Sequence, residues 1–126
     1  MRLNAHALLA LPLVMLLSAC ALLTESRSGL RVTTDPPNLV LTNEGAAPVF
    51  YFAVEQERAA LILWGPCDDP DTCDRVDAHS EVRLPYDSLI AASPDADVVL
   101  VYWWHLVPKD GGKFEPDRIR VVEVPI

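Results

Sequence analysis

Prolines and Asn/Asp/Gly clusters cut the apolar residues of this chain into short runs, and that punctuation constrains the fold more than any other feature. From residue 30 onward the runs cover residues 30–33, 38–42, 49–55, 60–64, 81–84, 98–107 and 118–124, and they are rich in β-branched and aromatic side chains. Between them lie DPPN, NEGAAP, GPCDDPDTCD, LPYD, SPDAD and PKDGGKFEPD. Proline has no N–H to give to a sheet ladder, so its confinement to the gaps supports this division into strands and turns. The pattern predicts seven short β-strands. A single helical hint occurs at residues 87–92, DSLIAA, with Asp87 or Ser88 as the cap.

Seven such strands over residues 30–126 suit an all-β domain, a single seven-stranded immunoglobulin-like β-sandwich. A small β-barrel is the alternative, because strand counting does not separate an open sandwich from a closed barrel. The stretch VLTNEGAAPVFYFAVE resembles bacterial immunoglobulin-like and fibronectin-III-like modules, in which a strand ends at Asn-x-Gly and its hairpin partner follows. The PKDGGK turn is expected to join the run 98–107 to 118–124 as a terminal hairpin.

The run 98–107 is apolar on both of its faces. Val98, Leu100, Tyr102, Trp104 and Leu106 share one parity, and Val99, Val101 and Trp103 share the other, which only His105 interrupts. A strand exposed on one side should alternate with polar residues, so this one needs cover on both. Trp103 and Trp104 must point to opposite faces. One belongs in the core; the other lies under the long 65–78 loop or on the surface. Tyr102, Trp103 and Trp104 are therefore the candidate partner-binding surface, with stacking on a saccharide as a narrower alternative.

The N-terminus has a different composition. Arg2 precedes an unbroken apolar stretch at residues 7–17, too short for a bilayer span of about 20 residues but suited to the core of an export signal. The stretch ends at Leu17-Ser18-Ala19-Cys20. These four residues resemble the lipobox of bacterial lipoproteins: an aliphatic residue, two small residues and the modified cysteine. The resemblance implies a signal peptide over residues 1–19 and a diacylglycerol thioether (with palmitate or similar chains) on Cys20. Residues 20–29 then form the lipidated cysteine and its tether. Two or more acyl chains hold a protein stably on a membrane, at about 0.8 kcal/mol per buried methylene. Ala21 rather than aspartate follows the cysteine, which by the same resemblance favours the outer membrane, facing the periplasm, in a two-membrane organism.

Three cysteines are an awkward number in an oxidising compartment. If Cys20 carries lipid, Cys67 and Cys73 are left as an even pair, and export permits a disulfide between them. They bracket the acidic stretch CDDPDTC, followed by Asp74, Asp77 and His79. Calcium on the aspartates or zinc on Cys67, Cys73 and His79 are the metal-binding alternatives. The spacing lacks an EF-hand's alternating acids, turn glycine and closing glutamate, so neither alternative is specified.

The functional classes narrow accordingly. Ten Lys/Arg against eighteen Asp/Glu give a formal charge of −8, which argues against nucleic acid as a partner. There is no Gly-x-Ser-x-Gly elbow, His-Glu-x-x-His or phosphate-cradling glycine loop. His79-Ser80 adjoins the acidic loop, but adjacency in sequence does not make a catalytic pair. The expectation is a non-enzymatic lipoprotein without cofactors, contacting the membrane through Cys20 and another envelope protein through its domain. The alternative is a module that recognises a metal ion or saccharide through the acidic 67–79 loop or the aromatic strand.

Overall fold

The computed structural model describes residues 29–89 and 94–126. The signal segment, Cys20 and all of the tether but Gly29 lie outside these residues. In chain order the elements are β1 (Leu30–Asp35), β2 (Asn38–Asn43), β3 (Val49–Glu55), α1 (Gln56–Ala59), β4 (Arg75–Val76), β5 (Glu81–Pro85), β6 (Val98–Trp104), β7 (Leu106–Lys109), β8 (Lys113–Pro116) and β9 (Arg120–Pro125). One sheet has the order β1-β2-β5, a second β4-β3-β6-β9, and β7-β8 is a separate ribbon. All pairings are antiparallel. The fold is an all-β sandwich with no closed barrel, and its described residues hold nine strands rather than the seven expected.

Three departures account for the difference. Residues 60–64 are not a strand: α1 ends in a turn, where the Leu61 N–H donates to the Arg58 carbonyl at 2.9 Å, and the chain then runs without a neighbour to pair with. The run 98–107 is two strands, β6 and β7, broken at His105. β4 and β8, sequences RV and KFEP, are too short or too polar to register as apolar runs. At residues 87–92, a 3-10 turn over Tyr86–Ser88 stands where a helix was expected, and residues 90–92 fall outside the described part.

The expected terminal hairpin is present but bent. β6 pairs with β9 from Val98↔Pro125 to Trp103↔Arg120, and β7 with β8 from Leu106↔Pro116 to Lys109↔Lys113. At the bend the His105 N–H donates to Asp117 Oδ1, and the Asp117 N–H donates to the His105 carbonyl, both at 2.9 Å. The tip turns through Gly111 and Gly112 at φ 78° and 70°, left-handed values that glycine adopts without a steric penalty.

Side-chain parity then fills the sandwich. Leu39 and Leu41 of β2 meet Val49 and Ala53 of β3, Val99, Val101 and Trp103 of β6, and Val124 of β9. Burial of each of these valine and leucine side chains contributes roughly 1.5–3 kcal/mol. Asn43, wholly buried at the end of β2, ties the β2–β3 connection together. Its Nδ2 donates to the carbonyls of Ala47 (2.8 Å) and Val76 (3.0 Å), and its Oδ1 accepts from the Gly45 N–H at 2.9 Å.

Candidate functional site: the aromatic outer face and its disulfide loop

The opposite parity of β3 and β6 builds a second, smaller cluster on the outer face of the four-stranded sheet. Phe50 and Phe52 come from β3, Tyr102 and Trp104 from β6, and Leu106 from β7. Trp64, in the extended segment after α1, folds back over them. Its ring stacks on Phe52 with centroids 4.6 Å apart and an interplanar angle of 17°, and sits 4.7 Å from Tyr102 and 6.2 Å from Trp104. Stacked and tilted rings at these separations add to the burial of their apolar area.

The chain beyond Trp64 closes the cluster. The Cys67 carbonyl accepts a hydrogen bond from Trp104 Nε1 at 3.0 Å, and Cys67 is joined to Cys73, which is buried against Phe50 and Trp104. Trp104 is left 1% exposed. This explains why β6 is apolar on both faces: one packs into the sandwich and the other under the disulfide loop.

The expected partner surface is corrected by this arrangement. Trp103 lies in the sandwich interior, with the Arg120 guanidinium 4.6 Å above its ring and His105 edge-on at 5.8 Å. With Trp104 sealed by the loop, Tyr102 alone of the three is half-exposed. The partly exposed aromatics of this cluster are Tyr102, Phe52 and Trp64. Trp64 was hidden from sequence reasoning by its place in an apparent strand, although a tryptophan three residues before Cys67 was a usable signal.

The loop's acids are organised by its own backbone. Asp69 Oδ1 accepts from the Asp71 N–H at 2.9 Å, its carbonyl accepts from the Cys73 N–H at 3.1 Å, and Arg75 donates to the Pro70 carbonyl at 2.8 Å. Between this loop and the β7–β8 ribbon lies an open cleft of about 480 Å³, with Asp68, Asp69 and Asp71 on one wall and Lys109, Lys113 and Phe114 on the other. Among the described residues no three or more His, Cys, Asp or Glu side chains converge as a metal site would. The zinc alternative also loses its thiols to the disulfide. Ser80 Oγ donates to the Ala78 carbonyl at 3.2 Å rather than to His79.

A second polar cluster sits at the hairpin bend. Asp117 Oδ2 lies 3.5 Å from His105 Nδ1 and 3.6 Å from the Arg120 guanidinium. Partial burial pushes the Asp117 carboxyl up, but hydrogen bonds from the Arg118 and His105 amides and the nearby Arg120 charge outweigh it and hold the group below its ordinary range. Its stabilising contribution is therefore present at neutral pH and is lost as pH falls through that depressed value.

The loop's cover function is testable. Reduction of the disulfide, or Cys67→Ser combined with Cys73→Ser, removes a bridge of sequence separation 6 and should lower stability by about 2 kcal/mol. Water reaching Trp104 should also shift tryptophan emission to longer wavelength. An unchanged emission spectrum would show that the bridge is not needed to hold the loop over the ring.

Comparison with models of protein families, with curated proteins and with solved structures yields no match to this chain.

Proposed function

We propose that this chain is a lipoprotein of the bacterial cell envelope. Lipid on Cys20 anchors it, and its β-sandwich acts as a non-enzymatic structural or protein-binding accessory. The observation that carries the reading is the use of the cysteines. Cys67 and Cys73 take each other, so Cys20, at the end of an export-type apolar stretch, is the one cysteine outside the bridge. A pairing of this kind belongs to an oxidising compartment.

Protein binding is favoured by the face around the aromatic cluster. Leu61 and Leu63 stand 77% and 102% exposed beside the half-exposed Trp64, in a segment that belongs to no sheet. Adjacent exposed apolar side chains beside a half-exposed aromatic ring suit contact with another protein.

The anchor is tested by Cys20→Ser in cells fed a fatty-acid analogue. The variant should lose labelling entirely and accumulate as unprocessed precursor. Labelling equal to that of the parent chain would remove the lipoprotein reading.

A further inference from the structure

Two buried side-chain oxygens among the described residues have no hydrogen-bond partner, the Tyr86 hydroxyl and Glu55 Oε2. Glu55 is the more telling. It ends β3 on the parity of Val49, Tyr51 and Ala53, so its side chain continues the row that faces the sandwich interior. Only 4% of it is exposed. It lines a cavity of about 130 Å³ with Gln56, Glu57, Asp97 and Val98. Asp97 is likewise in phase with the inward-facing Val99, Val101 and Trp103 of β6. Three carboxylates thus line this end of the sandwich, Glu55 buried and Glu57 and Asp97 exposed, and among the described residues no basic side chain lines it with them.

An uncompensated buried carboxylate costs several kcal/mol, and a cation placed against it recovers much of that. Five other acids of the domain, Glu44, Asp77, Asp35, Glu81 and Asp117, each lie within 4 Å of an arginine of this chain. Glu55, Glu57 and Asp97 form none of these pairs. A bare metal ion is the poorer fit, because the three carboxylates do not converge as ligands would. The cavity also exceeds the roughly 30 Å³ that a single water takes up in the liquid. A flat guanidinium or a primary ammonium on its alkyl stem fits both the size and the charge, and would place a positive charge beside the Glu55 carboxylate.

We propose that this cavity at the β3–α1 junction receives one organic cation, the arginine or lysine side chain of a partner protein. The proposal rests on the protein-binding reading above and gives that partner its chemistry, a basic side chain presented to the end of the sandwich opposite the His105–Asp117 bend.

The test is a titration of the isotope-labelled full chain, in nonionic detergent, with capped arginine, capped lysine, capped glutamine and calcium chloride, followed by amide chemical shifts. Capped arginine or lysine should move the amides of Glu55, Glu57 and Asp97, and capped glutamine should not. Glu55→Gln keeps the shape and should weaken the cation by roughly tenfold or more. Its urea midpoint should not fall, because the substitution removes a buried charge. The proposal is overturned if neither cationic probe moves these amides, if Glu55→Gln binds as the parent does, or if calcium moves them at lower concentration than the organic cations. The titration needs no partner protein and no lipid, so the site and the wider functional reading fail separately.

Discussion

Trp103→Ala is expected to lower stability by roughly 3–5 kcal/mol, the range for deleting a buried tryptophan. The indole is 3% exposed and belongs to the apolar cluster between the two sheets. Arg120 lies across one face of the ring and His105 meets its edge. Gly29 lies beside the ring, where a Cβ would make an ordinary van der Waals contact of 3.7 Å with Cζ3. Truncation would open a void bounded by two sheets that are hydrogen-bonded within themselves and so can collapse only partly. Against a total stability of about 5–15 kcal/mol, this is enough to leave a sizeable unfolded fraction. The urea midpoint should fall by more than about 1 M. Leu63→Ala supplies the contrast: that side chain is fully exposed, and its loss should stay within about 0.5 kcal/mol. Equal midpoints for the two variants would mean that Trp103 is not a core residue.

The strands that the sequence specifies well are those whose alternation and partners agree. Val49–Glu55 has the limits that its apolar run has, flanked by NEGAAP and a helical turn, and it pairs along its length with β6. Residues 60–64 have equally good alternation, and the alternation is real: Ile62 and Trp64 are half-buried while Leu61 and Leu63 point out. They miss being a strand because no neighbour is there to bond, and a partner is a property of the whole fold rather than of the run. The break at His105 is invisible for a similar reason. It depends on Asp117, twelve residues away, bonding the His105 backbone in place of continued sheet.

The site was legible in outline. Apolar residues on both parities of β6 demanded a second cover, and the 65–78 loop was the natural one. What periodicity could not decide was which tryptophan the loop would seal, or that Trp64 would come back over the face it left. Glu55 carried a signal in its phase: an acid in register with the core positions of an apolar strand needs a partner or bears the cost of its burial. Which of the two holds depends on the neighbours of its side chain, which the sequence does not reveal.

Asn43 shows how a single polar residue can hold such a fold together, and its removal should produce the other large loss. Asn43→Ala abandons three hydrogen bonds at once. One of them reaches the carbonyl of Val76, itself wholly buried in β4, the two-residue strand that edges the larger sheet. An unsatisfied buried acceptor costs about 1–3 kcal/mol, and the neighbouring Gly45 and Ala47 groups lose their partners in the same step, so a total of roughly 2–4 kcal/mol is expected. Asn43→Asp separates hydrogen bonding from shape. Above the ordinary carboxylate pKa of about 3.9 it turns a charged oxygen toward the carbonyls of Ala47 and Val76, and both lose their donor. At lower pH the protonated carboxyl regains one donor. The folded state favours that protonated form, so the penalty relative to the parent should be smallest in acid and grow as pH rises toward neutrality. Urea midpoints of the two chains measured at about pH 4 and pH 7 would read this directly. A gap that is constant with pH would mean that Asn43 acts through packing alone and that its amide does not hold β4 to the β2–β3 connection.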